Sequence, residues 1–534
     1  MKRMRIATLC AVLGLAHGTV VQADDAVQLP PDDKENPWEI HGVLKNESAL
    51  FTRSGQTTNQ ASSTTDTTRH HAGDLLKVEN SLNLFVNRQF TDSTSMHSQL
   101  NLMYETEGME GDRGHRSYSQ NDYLRELYLD TTLSSWDLRL GKQQEVWGTA
   151  DGIKLLDILN PTDYREFVQN TMSDSRIPVW MMKASTSMGG TGNLQLLLAQ
   201  PKDNYIPGLE ASGGPGEAFI MKGVDAITGR VNGFLNITPA LGQVAGTFDG
   251  MAKGFGLPGL VVVPNAFGPG VDFNPRTMTV QNFVNGTTPM NGACPAGLVG
   301  AACLNQFTQM TNKNQTLLMD GANWNPNNPH SAFEYMNNAT FATFNTFVGA
   351  RSTFRQDYPD DLNLNVGFRY KNSIGGNFNY SLNYLNHYDP NPYVDLSWEN
   401  GQGSPLTTER VVNGGVTTLN LKDATGKYYG AVDPNTLAAI NRPATLVFTE
   451  KMKRINSLGG SFDTSVESGL LGPVVLRGEA VYQMGVQTPV VDRDLLSQGD
   501  LVGGMQSQNT EMLKYVLGAE FIAFTNLTIG GQFI

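Results

Sequence analysis

The sequence predicts an all-β fold: a transmembrane antiparallel up-and-down β-barrel with a short helical insert in its lumen and a large extracellular insertion. Three observations predict it. The chain opens with a secretory leader, its body is built of runs of about ten residues that alternate apolar and polar with aromatics near their ends, and the linkers between runs are sharply unequal in length. A soluble β-sandwich also alternates, so no single run decides; the three features together favour the barrel.

Lys2, Arg3 and Arg5 precede an apolar core from Ile6 to Ala16, and Val21-Gln22-Ala23 then offers a small-residue cleavage site before Asp24. Residues 1–23 therefore read as a signal peptide and 24–534 as the barrel. Cys10 follows Leu9 rather than a small residue, which argues against a lipoprotein anchor. Of the 534 residues 40% are hydrophobic and 17% charged, enough apolar content for a large core. No later stretch has the roughly eighteen uninterrupted apolar residues of a membrane helix. Loss of the leader takes the formal charge from −13 to −16, which argues against a nucleic-acid partner and suits an acidic outer surface.

From Trp38, Ile40, Leu44 and Leu50 share one face while Glu39, His41, Lys45, Glu47 and Arg53 share the other. Leu82, Leu84 and Val86 then oppose Ser81, Asn83 and Asn87, and Leu100, Leu102 and Tyr104 oppose Gln99, Asn101 and Glu105. A hairpin follows, with Leu127 and Leu129 on one arm, Leu133-Ser134-Ser135 as the turn, and Trp136, Leu138 and Leu140 on the other. After residue 361 the pattern returns, most clearly where Phe378, Tyr380, Leu382 and Tyr384 face away from Asn377, Asn379, Ser381 and Asn383. Val474, Leu476, Ala480 and Tyr482 repeat it against Arg477, Glu479 and Gln483. With a periplasmic N-terminus the long linkers fall outside the cell and the short ones inside.

One stretch departs from this pattern. Between Gly141 and Pro178, Ile153, Leu155, Leu156 and Leu159 recur at helical spacing, and Asn160-Pro161 supplies an N-cap with proline behind it. The spacing predicts short helices over 152–159 and 161–169. Asp151, Asp157, Asp163, Arg165, Glu166, Asp174 and Arg176 crowd the same stretch, and such charges cannot face lipid. Residues 147–176 are thus expected to constrict the lumen. Trp147 serves there as an interface or packing anchor, and the carboxylates pair with lumen-facing Arg139, Lys183 and Arg369. Calcium binding or acid-base chemistry by these carboxylates is the rival reading.

Residues 201–361 are too long for a structureless loop and are expected to form an extracellular insertion. Thr238-Pro239 can open a helix whose Leu241, Val244, Phe248, Met251 and Phe255 make an apolar stripe, packed on the barrel mouth or lining an entrance for a hydrophobic solute. Cys294 and Cys303, in the same segment, are expected to pair as a disulfide in an oxidising compartment. Nucleophile elbow, phosphate-cradling glycine loop, HExxH and metal-spaced cysteines are all missing from the sequence. No cofactor, metal or enzymatic activity is therefore expected.

The run Gly141-Lys-Gln-Gln-Glu-Val-Trp-Gly resembles the hallmark of a proteobacterial outer-membrane family catalogued as domain of unknown function thirteen-oh-two. So do Asp151, Leu156-Asp157, Asn160-Pro161-Thr-Asp163-Tyr-Arg165-Glu166-Phe and Asp174-Ser-Arg176-Ile-Pro178. Val475-Leu-Arg477-Gly-Glu479 and Lys514-Tyr-Val-Leu-Gly518-Ala-Glu520 resemble it more weakly. The resemblance implies an outer-membrane β-barrel, often accompanied by a periplasmic lipid-binding-like protein and an inner-membrane exporter of the resistance-nodulation type. It brings no substrate and no catalytic residue. Together these readings point to the bacterial outer membrane and to a channel, in contact with membrane lipid, that passes a small hydrophobic or aromatic solute. A general structural porin is the alternative, and an outer-membrane hydrolase a more distant one.

The runs add up to about thirteen strands, whereas bacterial single-chain barrels close with an even number. Seven lie before residue 200, followed by 362–371, 377–388, 444–464, 472–485, 511–521 and 526–533. An odd count predicts either that the chain as given stops short of its natural end, or that one strand, most naturally 344–354, has been overlooked.

Overall fold

Successive side chains of a strand point to opposite faces, so an alternating run can offer apolar residues to lipid and polar ones to water. The computed structural model describes residues 38–54, 71–105, 123–150, 152–164, 171–205, 224–225, 230–231, 245, 260–265, 270, 272–284, 336–523 and 527–534. The chain first forms β1 (Trp38–Leu50), β2 (Leu75–Thr91), β3 (Thr94–Glu105), β4 (Leu124–Leu133), β5 (Trp136–Gln143), β6 (Val179–Ser187) and β7 (Asn193–Ala199). A small hairpin, β8 (Val224–Asp225) and β9 (Arg230–Val231), comes next, then helices α1 (Val280–Val284) and α2 (Phe341–Phe347). After β10 (Arg351–Asp357) come β11 (Asn365–Ile374), β12 (Phe378–Tyr388), β13 (Tyr393–Glu399), β14 (Pro405–Asn413), β15 (Val416–Lys422), β16 (Tyr428–Val432), β17 (Ala439–Arg442) and β18 (Thr445–Lys451). The chain then forms β19 (Arg454–Ser468), β20 (Gly472–Val491), α3 (Arg493–Ser497), α4 (Leu501–Gly504), β21 (Met505–Ala523) and β22 (Leu527–Phe533).

Thirteen of these strands make one sheet in the order β1 to β7, β11, β12, β19, β20, β21, β22, and each neighbouring pair is antiparallel. Its edges are β1 and β22. Long connections leave one rim, after β1, β3, β5, β7, β12 and β20, and short turns leave the other. The two faces separate as alternation requires. Cross-strand partners put Arg139, Lys183, Leu197, Gln195, Arg369, Asn383 and Gly459 on one face, continued by Val481, Glu479 and Val516. The opposite face exposes Trp180, Met182, Leu196, Phe368, Leu382, Leu458, Leu513, Tyr515 and Leu517. A continuous apolar face of this extent is the lipid-facing surface of an outer-membrane β-barrel protein. Among the described residues no helix is long and apolar enough to cross a membrane.

A second sheet, unforeseen in the alternation, stands at the rim of long connections in the order β10-β18-β13-β14-β15-β16-β17. Most of it comes from the connection between β12 and β19 rather than from residues 201–361. Every residue of α2 is buried beneath it; the hydroxyl of Thr340 caps the helix by accepting from the Thr343 amide, and Phe347 stacks on Trp398 at 5.4 Å. Arg410 of β14 ties the sheet to Asp500, the N-cap of α4.

Several expectations are corrected here. Residues 444–464 are two strands in different sheets, because alternation marks a strand without saying which sheet it joins. Residues 344–354 do not supply a fourteenth strand of the large sheet: α2 takes 344–347, and β10, which takes 351–354, pairs in parallel with β18 in the second sheet. Residues 152–164 fold as bends and isolated bridges, without the helix expected over 152–159 and without a helical start at 161–164 for the one expected over 161–169, whose remaining residues lie outside the described ones. The leader at 1–23, the stripe of Leu241, Val244, Phe248, Met251 and Phe255, and both Cys294 and Cys303 lie outside the described residues.

Candidate functional site

The β5–β6 connection turns back onto the polar face of the large sheet, and side chains from both partners explain why. Glu145 leaves the end of β5 and its carboxylate receives Lys183 Nζ of β6 at 2.6 Å, Arg369 Nη2 of β11 at 3.0 Å and Gln195 Nε2 of β7 at 2.9 Å. Arg369 also donates to the Val146 carbonyl, and the Trp147 indole N–H to Gln195 Oε1 at 2.8 Å. Burial alone would raise the Glu145 carboxyl, but Lys183 and Arg369 outweigh it and hold the group below the usual carboxylate range. Trp147 then packs with Leu159 on Val179, Met181, Leu197, Ala199 and Leu385.

A second anchor is a wall residue. Glu479 of β20, 3% exposed, accepts from the backbone amides of Thr149, Ala150 at 2.7 Å and Leu156 at 3.3 Å. Three amides converging on one carboxylate hold this irregular chain much as an N-cap holds a first turn. Beside it Leu155 and Leu156 pack on Val481 and Val516. The wall is glycine where the connection presses closest: a Cβ on Gly367 would stand 3.1 Å from the Trp147 ring, and one on Gly459 would collide with Leu156.

The far limb is held from β4. A register shift opposite Gln99 and Leu100 leaves Arg125 outside the pairing, and its guanidinium donates to the carbonyls of Ser173, Asp174 and Arg176 at 2.7, 3.0 and 3.0 Å. Thr162 and Asp163 bridge to Arg176 and Tyr205, and Asn160 crosses from the Glu145 amide to the Ile177 carbonyl. From β4 to β21 the sheet is thus curled around one connection.

Asp157 pairs with Arg176 inside the connection; burial pushes its carboxyl up against the pull of that arginine. Lys183 and Arg369 meet Glu145 instead of the expected aspartates, because the chain is not helical over 152–159 and Asp157 turns to Arg176 within the connection. Asp163 is buried with its amide on the Ser175 carbonyl, and Asp174 lies in a turn with Thr171. Arg139 does not join the connection and forms a bidentate pair with Asp130 on β4, at 2.6 and 2.9 Å. Asp151, Arg165 and Glu166 lie outside the described residues. Among the described residues no cluster of three or more His, Cys, Asp or Glu is spaced to hold a metal. Glu145, Gln195, Glu479 and Arg125 were missed as anchors, although Glu145 and Glu479 sit within the resembling runs. Apolar Leu197, Leu385, Val481 and Val516 at inward positions were the overlooked sign of a dock.

A cavity of about 270 Å³ remains between this connection and β20–β22, lined by Thr149, Ala150, Arg477, Glu479, Glu520 and Gln532. Across it Arg477 and Glu520 approach to 3.6 Å.

A family model described as protein of unknown function DUF1302 matches residues 43–199 and 319–520, more than half of the chain. No relative was found among curated proteins. Solved structures similar to the chain include the outer membrane channel DcaP of Acinetobacter baumannii, at 10% identity over 93% of this chain and 79% of that one, TM-score 0.28. Others are the outer membrane protein OmpT of Vibrio cholerae, at 7% identity over 93% and 89%, TM-score 0.24, and a BenF-like porin from Pseudomonas fluorescens Pf-5, at 8% identity over 92% and 92%, TM-score 0.22. These scores are low, and the membrane reading rests on the two faces of the sheet.

Proposed function

The chain belongs to the family of proteins of unknown function DUF1302, and from that premise and the geometry of its polar face we propose that it is an outer-membrane channel for a small hydrophobic or aromatic solute. The β5–β6 connection narrows the path. The observation that carries this reading is the anchoring of that connection at Arg125, at Lys183 and Arg369 through Glu145, and at Glu479, on strands far apart in the sheet, which makes the constriction a fixed part of the wall. The cavity of about 270 Å³ beside Glu479 adjoins that anchor and falls just below the usual range of roughly 300–1,000 Å³ for ligand pockets, which suits a small solute.

Glu479→Ala removes the acceptor of three amides, each costing about 1–3 kcal/mol if left unpaired, and should free the connection. In planar bilayers the wild type is expected to show low conductance and the variant a clearly higher one. An unchanged conductance in Glu479→Ala would sink the constriction. A large, unselective wild-type conductance would identify the general porin instead.

A further inference from the structure

The polar face of β1–β5 carries four rings that the barrel rule does not call for. Aromatics are expected toward lipid, near the interfaces, and the neighbouring positions of this wall include the polar Ser81, Asn83, Gln99 and Asn101. Yet His41 of β1 stacks on Phe85 of β2, centroids 4.9 Å apart and planes 14° apart. Phe85 meets His97 of β3 at 6.5 Å, and His97 stacks on Tyr128 of β4 at 4.9 Å. Arg139 of β5 then lies over the Tyr128 ring at 4.1 Å. Cross-strand pairing puts these residues on the face that carries Lys183. With strands about 4.8 Å apart, five of them make a track of about 19 Å. His41 is exposed and the other rings are half-buried; each of them has a face against a neighbour in the ladder, so a solute meets them largely at their edges. The track starts on β4 and β5, β4 being the strand whose Arg125 holds the β5–β6 connection, and runs out to β1.

We propose that this ladder is a solute-binding track that takes the flat face of an uncharged or cationic aromatic ring; the proposal rests on the channel reading and names its substrate class. The positive edges of such rings meet the negative face of an aromatic solute, while saturated skeletons gain only area. The charges around the ladder disfavour anions. Arg139 is held by Asp130, Glu126 stands 3.7 Å from His97, and Glu39 accepts from Asn87, which itself bonds His97. Lys45, farther along β1, is paired with Glu47.

Equilibrium binding to the full chain in lipid nanodiscs, with empty nanodiscs as reference, tests this with three probes: 2-naphthol, decahydro-2-naphthol and 2-naphthoate. The wild type should bind 2-naphthol in preference to both others. Phe85→Leu with Tyr128→Leu keeps apolar bulk and should weaken 2-naphthol roughly ten-fold or more, since two aromatic contacts are lost. Asp130→Asn releases Arg139 and should raise affinity for 2-naphthoate. Equal binding of naphthol and its saturated analogue by the wild type overturns the proposal, a comparison that needs no variant to fold. Full retention of naphthol by the double variant overturns it as well. If the Glu479→Ala conductance is unchanged while the ring preference holds, the constriction fails and the ladder stands.

Discussion

At the scale of single residues the β5–β6 connection is governed by burial of charge, and its partners differ in how they meet it. Glu145 is surrounded by two cations and an amide, so it is ionised at a site where an unpaired carboxylate would be costly. Lys154 is less well served. Burial lowers its pKa to about 8, with Arg176 and Arg125 adding to the fall and Asp157 and Asp163 opposing it; its ammonium reaches Thr162 Oγ1 at 3.3 Å. Between pH 8 and the ordinary lysine value near 10.5 the unfolded chain holds a proton that the folded one has released. Stability therefore rises with pH through that window, and the cost of the buried ammonium is fully present below it. Lys154→Met should raise the thermal midpoint relative to wild type at pH 7, and the difference should shrink as pH approaches 10. A difference independent of pH would mean that Lys154 is not the group responsible. The sequence showed that charges were concentrated here and could not show how they pair. Asp157 finds Arg176 rather than the wall, and the wall's own acid, Glu479, binds backbone instead of a cation.

At the scale of elements, alternation located the strands of the large sheet and left their departures unread. Period two explains why Phe378, Tyr380 and Leu382 face one way and Asn379, Ser381 and Asn383 the other. The same rule marks Leu197, Leu385, Val481 and Val516 as apolar residues on the wrong side, and the structure accounts for them: they are the floor on which Trp147, Leu156 and Leu159 rest. The helical spacing of Ile153, Leu155, Leu156 and Leu159 misled because a dock on a curved wall can bury the same leucines from irregular backbone, provided the amides are satisfied. Glu479 and Asn160 provide that. The fit should be sensitive to wall volume. Gly459→Val places branched carbons where Leu156 sits, at a cost of about 1–3 kcal/mol for overpacking. Its expected result is a connection that becomes cleavable by protease within residues 144–178 while the sheet stays folded. Cleavage no faster than in wild type would show that Leu156 has room to move aside.

At the scale of the whole molecule the two faces of the sheet answer to different solvents, and the seven-stranded sheet at the rim to a third environment. That second sheet was illegible because its strands alternate like those of the barrel; only partner choice separates them, as when 444–464 divides between β18, which joins β10 and β13, and β19, which joins β12. The solvent of each face can be tested by placing the same charge on both. Leu382 lies mid-strand on β12, 56% exposed on the apolar face beside Tyr384 and Leu458. Asn83, mid-strand on β2, lies on the polar face and pairs with Asn101 of β3. Leu382→Arg should cost about 2–4 kcal/mol when the protein folds into vesicles, since an arginine near the bilayer midplane finds no water. Asn83→Arg meets water and should change folding little. Urea titration of folding in lipid vesicles measures both. Equal costs for the two would mean that the apolar face does not meet lipid, and the orientation of the sheet derived from Glu145, Arg369 and Glu479 would be wrong with it.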